Sequence, residues 1–211
     1  MTQKTCIIFD MDGTLIDSSA AMTQSVNFVR ASIGLEPIEK SYLEYYINQP
    51  DQHLPKIFYD TLAYDPVHKA LFKEHYLESA PKMISLYPDV REMLEILQQK
   101  ATLNIATNAS DFFAINMLGH LDILDFFTYV RGANNVELPK PHPQMIEMIM
   151  EESSSIKSQT ILVGDSIKDE MAAKRADVKF IFADWGYGKS ETAPLKAQNI
   201  QELLKLLDTL I

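Results

Sequence analysis

Two aspartates, Asp10 and Asp12, directly follow a short apolar run at residues 6–9 and are separated by one methionine. If that run is a buried strand, side chains alternate along it, so both carboxylates face one side and Met11 faces the other. One carboxylate can attack phosphorus to form an aspartyl-phosphate, while a second protonates the leaving oxygen and later deprotonates water. The pair therefore predicts a nucleophile at Asp10 and an acid and base at Asp12. Alone, it also fits a turn in which Asp12 caps Gly13.

A second acidic pair follows another apolar run, at residues 161–164. Asp165 leaves that run, and Asp169 comes one helical turn later on the same face. The carboxyl ends of parallel strands meet at one edge of a sheet, so we expect Asp165 to join Asp10 and Asp12 there. Carboxylates so close together repel unless a cation is bound, and all-oxygen ligands favour Mg²⁺.

Two further segments offer groups that could hold an anion. Thr107 and Asn108 end the apolar run at 103–106, where a hydroxyl and backbone N–H groups precede a helix. Such a strand end is typical of a phosphate site. Lys140 lies between two prolines, which restrict the backbone and can present its ammonium group. The sequence therefore predicts phosphate binding by Thr107, Asn108 and Lys140, although Lys140 alone would be an ordinary surface lysine.

Short apolar runs alternate with helical patterns along most of the chain. Helices are predicted after Pro88–Asp89 and after Pro143, where apolar residues recur at helical spacing. This alternation predicts an α/β fold with a parallel sheet covered on both faces. The runs interpreted as buried strands are 6–9, 103–106, 161–164 and 179–183, with a weaker one at 127–132.

One segment, residues 17–81, breaks the alternation because its pattern is helical or loop-like throughout. A connection of this length is far beyond the usual few residues, so we expect a helical module of its own. The predicted division is a discontinuous core at 1–16 and 82–211 and a helical cap domain at 17–81. Because the segment leaves the sheet just after Asp12, it should lie over the aspartate pair.

The composition narrows the functional classes. The 211 residues carry a formal net charge of -10 and are 46% apolar, which suits a protein with a large core and disfavours nucleic-acid binding. The run at 6–9 is too short for a signal sequence or a membrane span, so a soluble, cytoplasmic protein is expected. Cys6 is the single cysteine, and the five histidines show no ligand spacing that would favour zinc.

Together these motifs resemble the haloacid dehalogenase-like hydrolase superfamily. The matching residues are Asp10-Met11-Asp12-Gly13-Thr14, Thr107-Asn108, Lys140 and Asp165-Ser166-Ile167-Lys168-Asp169. The resemblance implies a Rossmann-like three-layer core, with the first strand central, and an inserted small α-helical cap domain. It also implies that the Asp10 side chain, the Asp12 backbone carbonyl and Asp165 hold Mg²⁺, with Asp169 assisting directly or through water.

The tail Trp185-Gly186-Tyr187-Gly188 looks like that of phosphoglycolate phosphatase-like members, which favours a small phosphorylated metabolite as substrate. The chain departs from the family where Asp89 and Asp177 replace common glycines, and Asp tolerates the left-handed backbone expected there. A further departure is the stretch 46–53. Family members often have a glycine-containing segment at this place that contacts the substrate, and this chain has no glycine there.

The resulting hypothesis is a Mg²⁺-dependent phosphatase that acts through an aspartyl-phosphate. A sugar-phosphate mutase shares the same core motifs and remains an alternative, whereas a dehalogenase would not need Asp12. A phosphoacceptor signalling domain or a binding-only descendant would also fit the fold, although the motif order and the retained Asp10, Asp12, Lys140 and Asp165 count against them. The oligomeric state stays open.

Overall fold

The computed structural model describes residues 4–211, so positions 1–3 of the core predicted at 1–16 lie outside the described residues. The strands within this range are β1 Thr5–Phe9, β2 Ile16–Asp17, β3 Ser85–Leu86, β4 Ala101–Ala106, β5 Tyr129–Arg131, β6 Thr160–Gly164, β7 Lys179–Ala183 and β8 Lys196–Ala197. The helices are α1 Ser19–Ser32, α2 Lys40–Asn48, α3 Leu54–Tyr59, α4 Pro66–Ser79, α5 Val90–Leu97, α6 Asp111–His120, α7 Gln144–Glu152, α8 Ile167–Ala176 and α9 Ile200–Leu210.

Six strands form one sheet in the order β5-β4-β1-β6-β7-β8, and each adjacent pair is parallel. Every strand predicted from an apolar run is present in this sheet, with bounds that differ by at most two residues at either end. The first strand is central, as the resemblance implied. The α/β class with a parallel sheet is therefore confirmed.

Strand β1 shows why both faces of the sheet are covered. Ile7 and Phe9 belong to an apolar cluster that includes residues of α5, α6 and α9. Cys6 and Ile8 point to the opposite face, where they pack with residues of α7 and α8. Because successive side chains alternate, a continuous apolar run fills two separate cores at once.

The chain between β2 and β3 is helical. Helices α1 to α3 supply the buried residues of an apolar cluster, and Leu71 and Phe72 of α4 pack against it. The buried residues are Val26, Val29, Leu43, Phe58 and Tyr59. This segment begins and ends at one place, since β2 and β3 pair antiparallel through Ile16–Leu86 and Asp17–Ser85. A two-residue strand carries no periodicity, so the sequence pattern does not predict this ribbon.

Two further elements, β8 and α9, were not predicted. Helix α9 nevertheless carries a clear signal, because Asn199 accepts a hydrogen bond from the Glu202 backbone N–H at its start and its buried residues recur at helical spacing. Asp89 and Asp177 adopt positive φ angles of 63° and 60°, which confirms the left-handed backbone expected at both. Within residues 4–211, no helix is long and apolar enough to cross a membrane.

Candidate active site

The carboxyl ends of three adjacent strands bring the predicted residues together. Asp10 follows β1, Thr107 follows β4 and Asp165 follows β6, and all three side chains are buried. The register of the parallel pairs places these strand ends side by side. The site is thus a direct product of topology, since open parallel sheets leave a crevice at this edge.

Lys140 connects two of the carboxylates. Its Nζ donates to Asp10 Oδ1 at 2.6 Å and to Asp169 Oδ1 at 2.6 Å, and its side chain is only 3% exposed. Burial alone would lower the pKa of Lys140, but the charges of Asp10 and Asp169 outweigh burial and raise it. The ammonium group therefore stays charged inside the site.

Asn108 fixes the loop that presents Lys140. Its Nδ2 donates to the Lys140 carbonyl at 2.7 Å, and its Oδ1 accepts from the Lys140 backbone N–H at 3.0 Å. Both ends of the side-chain amide are thus engaged with backbone, so the predicted phosphate contact of Asn108 would fall to its backbone N–H. Thr107 Oγ1 accepts from the Ala109 backbone N–H at 3.1 Å, which orders the turn leading into α6.

Asp169 lies in the first turn of α8. Ser166 is the N-cap of this helix, and its backbone N–H and hydroxyl donate to Asp169 Oδ2 at 3.1 and 2.5 Å. The reciprocal capping box holds the carboxylate in place while its other oxygen meets Lys140. Asp169 is thereby fixed beside Asp10 and Asp165, where it could assist a bound cation directly or through water.

Asp165 is enclosed by backbone. Its Oδ2 accepts from the Tyr187 N–H at 2.7 Å, and its Oδ1 accepts from the Thr14 hydroxyl at 3.2 Å. A Cβ on Gly13 would lie 2.3 Å from Asp165 Oδ2, and one on Gly186 would lie 2.3 Å from the Asp165 Cβ. Both glycines are therefore required for the close approach of these loops, and the stretch 185–188 has a packing role in the site.

Asp12 is held by a residue that sequence reasoning missed. The Ser18 hydroxyl donates to Asp12 Oδ1 in a very short hydrogen bond. Burial raises the pKa of Asp12 to about 6, against the opposing influence of Ser18 and Lys140. Tyr187, noted in the sequence only as part of the tail 185–188, accepts at its hydroxyl from the Ser18 and Ser19 backbone N–H groups at 2.7 and 3.0 Å and so fixes the start of α1. The contact of Ser18 with Asp12 spans six residues across the turn after β1, whereas Tyr187 reaches Ser18 from a loop distant in sequence.

Three carboxylates could hold a metal ion. One oxygen each from Asp10, Asp165 and Asp169 lie within 4.8 Å of one another. Burial raises the pKa of Asp165 to about 7, reinforced by the charge of Asp169. It also raises the pKa of Asp10 well above its usual range, with Lys140 opposing the shift and Asp169 and Asp165 adding to it. A single lysine cannot balance three charges, so this all-oxygen set fits a hard divalent cation such as Mg²⁺.

A cavity of about 620 Å³ opens above this cluster. Asp10, Asp12, Thr107 and Lys140 form its floor, while helices α1 to α4 supply most of its other lining residues. Lys168 joins the two sides, because its Nζ donates to the Ile47 carbonyl of α2 at 2.5 Å. The predicted nucleophile, acid and base therefore face a cavity of ligand size.

Comparison with known proteins identifies relatives over nearly the whole chain. The model of the family described as haloacid dehalogenase-like hydrolase matches residues 7–183. A phosphoglycolate phosphatase of Agrobacterium fabrum is 30% identical over 188 residues, which are 85% of this chain and 80% of the relative. A phosphoglycolate phosphatase of Vibrio vulnificus is 28% identical over 219 residues, covering 97% of this chain and 95% of the relative.

Solved structures show the same architecture. A haloacid dehalogenase-like family hydrolase from Streptococcus pneumoniae superposes with a TM-score of 0.82 at 24% identity, covering 98% of this chain and all of the other. A predicted phosphoglycolate phosphatase from Haemophilus somnus gives a TM-score of 0.84 at 23% identity, covering 98% and 99%. At these identities the match establishes the fold.

Proposed function

The chain belongs to the haloacid dehalogenase-like hydrolase family, and on that premise we propose that it is a Mg²⁺-dependent phosphatase of small phosphomonoesters. The observation that carries the proposal is the contact of Lys140 with both Asp10 and Asp169 on the floor of a ligand-sized cavity. Relatives described as phosphoglycolate phosphatases support the same reaction class.

In the first half of the reaction, a carboxylate oxygen of Asp10 attacks the phosphorus of the ester. The bond between phosphorus and the ester oxygen breaks, and the departing alkoxide takes the proton from the Asp12 carboxyl group. A pKa of about 6 suits this role, because Asp12 can hold a proton near neutral pH and release it without a large penalty. The product of this half is a phosphoryl group on Asp10 and a free alcohol.

In the second half, the Asp12 carboxylate accepts a proton from a water molecule. That water attacks the phosphorus, the bond to the Asp10 oxygen breaks, and inorganic phosphate leaves with Asp10 restored as a carboxylate. The Ser18 hydroxyl, which donates to Asp12 Oδ1, keeps the carboxyl group aimed through both halves.

The surrounding residues bind and orient the phosphoryl group. Lys140 offsets the negative charge of its oxygens, and the Thr107 hydroxyl and the Asn108 backbone N–H donate to them. Mg²⁺, when bound, supplies further charge compensation; Asp10 and Asp165 would hold it, together with the Asp12 carbonyl and, directly or through water, Asp169. These roles rest on the carboxylate cluster and on the family match.

Residues 17–81 are proposed to act as a cap domain over the core formed by 1–16 and 82–211. Their separate apolar cluster and their share of the cavity lining support this division. A segment that covers the site would exclude bulk water while the aspartyl-phosphate exists. We place this activity in the cytoplasm, as the sequence predicts.

The test is phosphate release from a panel of small phosphomonoesters, with Mg²⁺ and with excess chelator. We expect turnover with Mg²⁺ that is lost on chelation and lost in Asp10→Asn, because the amide is not a nucleophile. Asp125→Asn, an exposed aspartate remote from the cavity, is the matched control and should retain activity. Turnover by Asp10→Asn at the native rate would overturn the proposed nucleophile, and transfer of phosphate between sugar positions without its release would indicate a mutase.

A further inference from the structure

We propose that the alcohol released by this enzyme is a largely apolar, ring-sized group with a hydrogen-bond acceptor to which the Asn48 side chain donates. This rests on the proposed function, since it concerns the part of the substrate beyond the phosphoryl group. The proposal comes from three features of the cavity: its size, the character of its walls and two buried polar atoms left unpaired.

The size of the cavity exceeds what a two-carbon alcohol would fill. Its volume of about 620 Å³ lies within the roughly 300–1,000 Å³ typical of sites that enclose drug-sized ligands. The phosphoryl site occupies only the floor. The space above it, between the sheet edge and helices α1 to α4, is available to the leaving group.

The walls are mostly apolar and aromatic. On one side Phe72 and Tyr76 stack at 5.4 Å, and Phe113 meets Tyr76 edge-on at 5.4 Å. On another side Tyr59 lies 5.7 Å from the ring of His68. All five line the cavity, so a bound group would contact ring faces and edges from two directions. Such walls bind a flat apolar group far better than a second carboxylate.

The cations that line the cavity do not offer a carboxylate a ready partner. The Lys168 ammonium group is bound to the Ile47 carbonyl at 2.5 Å. Lys69 and Lys73 are exposed residues of α4, and their ammonium groups lie over the rings of Tyr64 and Phe112, at 5.5 and 4.2 Å from the ring centroids. Lys140 is already shared by two aspartates.

Two polar atoms of the lining are buried without a partner. Within residues 4–211, Asn48 Nδ2 and His68 Nδ1 have no hydrogen-bond partner, and both residues line the cavity. Because both atoms are buried, each side chain must turn slightly to meet a ligand in the cavity. An acceptor on that ligand would then recover the cost of the unpaired donor. Asn48 Nδ2 is a donor and therefore selects an acceptor on the leaving group, whereas His68 Nδ1 can donate or accept according to its tautomer.

The experiment compares kcat/KM for ethyl phosphate, phosphoglycolate, phenethyl phosphate and its pyridyl analogues, all with Mg²⁺. Ethyl and phenethyl phosphate differ only by an apolar ring, and each pyridyl analogue replaces one ring C–H by an acceptor nitrogen. We expect phenethyl phosphate to exceed ethyl phosphate and phosphoglycolate by roughly 10- to 100-fold, as burial of one ring implies. The best pyridyl analogue should gain roughly threefold to tenfold more.

Variants test the two polar atoms. Asn48→Leu keeps the size of the side chain but removes the donor, so it should abolish the preference for pyridyl over phenyl and retain the preference for phenethyl over ethyl. His68→Phe keeps the ring and shows whether Nδ1 shares in the preference. Asn116→Leu, an exposed position on α6, is the matched control and should retain both preferences.

Binding of non-hydrolysable phenethyl and ethyl phosphonates, measured by calorimetry, separates this proposal from the proposed function. If every ester fails to release phosphate, the phosphatase proposal falls, and a tighter phenethyl phosphonate would still support the ring site. If phosphoglycolate or ethyl phosphate is hydrolysed as efficiently as phenethyl phosphate, the ring site is wrong while the phosphatase stands. A pyridyl preference that persists in Asn48→Leu would overturn the proposed hydrogen bond from Asn48 to the leaving group.

Discussion

At the scale of single residues, the site is a problem of charge. Asp10, Asp165 and Asp169 are buried close together, and Lys140 donates to two of them, Asp10 and Asp169. A buried carboxylate without compensation favours its neutral form, which is why the pKa values of Asp10 and Asp165 are raised. The folded protein is therefore least stable when all these groups are ionised and no divalent cation is bound.

Removal of the Asp165 charge should change how metal-free stability depends on pH. Its pKa in the folded protein, about 7, lies above its ordinary value of 3.8, so the folded state binds the proton more tightly. The stabilising contribution of Asp165 is present below pH 4 and is lost as the pH rises to 7. We expect the Tm in chelator to fall less in Asp165→Asn than in the native chain when the pH is raised from 5 to 8, as measured by thermal unfolding.

The same variant should gain little stability from Mg²⁺, because one of its proposed ligands is gone. The native chain should gain several degrees in Tm, and each 1 kcal/mol corresponds to roughly 2–4 °C for a chain of this size. An equal gain in both proteins would remove Asp165 from the metal site.

Asp12→Ala tests the division of labour between the two aspartates. Without Asp12 the leaving oxygen is not protonated and water is not activated, so kcat should fall by roughly 10²- to 10⁴-fold. A phosphoryl group that reaches Asp10 should then remain there. Intact-mass spectrometry after mixing with substrate should show one added phosphoryl group, which Asp10→Asn should lack. A phosphoryl group on another residue would contradict the assignment of Asp10.

At the scale of elements, strand ends explain which site residues the sequence could predict. Asp10, Thr107 and Asp165 each directly follow a buried apolar run, so the topology of a parallel sheet sufficed to bring them together. Tyr187 acts through contacts with a loop more than 150 residues away, as the 2.7 Å bond from the Ser18 N–H to its hydroxyl shows. Such contacts depend on tertiary packing, which no local pattern records.

The helical segment 17–81 was likewise predictable only in part. Its existence follows from a length that no ordinary loop has, but its contribution to the site does not follow from any spacing. Asn48 and His68 line the cavity because α2 and α4 pack over the sheet edge. The sequence marks Asn48 only as one residue of the stretch 46–53, and His68 only as a histidine without ligand spacing. Asn108 was predicted from its position, yet its side chain serves the Lys140 loop.

A pair of glycine substitutions should separate loop packing from helix propensity. A Cβ on Gly186 would lie 2.3 Å from the Gly13 carbonyl and 2.3 Å from the Asp165 Cβ, so Gly186→Ala should lower both Mg²⁺ affinity and kcat/KM. Gly119→Ala meets nothing within 4 Å in α6 and should raise the free energy of unfolding by about 0.5–1 kcal/mol. Metal titration and chemical denaturation measure the two effects, and full Mg²⁺ affinity in Gly186→Ala would contradict the close packing.

At the scale of the whole molecule, the charge is unfavourable for an anionic substrate. A net charge of -10 repels phosphate esters at long range. The residues that line the cavity nevertheless include Lys69, Lys73, Lys140 and Lys168. These four lysines outnumber the two aspartates of the lining, and Lys69 and Lys73 are exposed, so they would concentrate the substrate against the overall field.

Neutral substitutions at the entrance should therefore weaken capture of the substrate. We expect the double substitution Lys69→Gln and Lys73→Gln to lower kcat/KM by up to about tenfold at low salt and to reduce its dependence on ionic strength. Lys205→Gln, an exposed position on α9, is the control and should leave both unchanged. Equal salt dependence in the native chain and the double variant would exclude a steering role.

The short ribbon formed by β2 and β3 has an evolutionary consequence. Residues 19–84 leave and return next to paired positions, Ile16 beside Leu86 and Asp17 beside Ser85. A genetic exchange at these two neighbouring points would replace the upper wall of the cavity in a single event and leave the strand ends untouched. The catalytic residues would thereby be retained while the specificity for the alcohol changed.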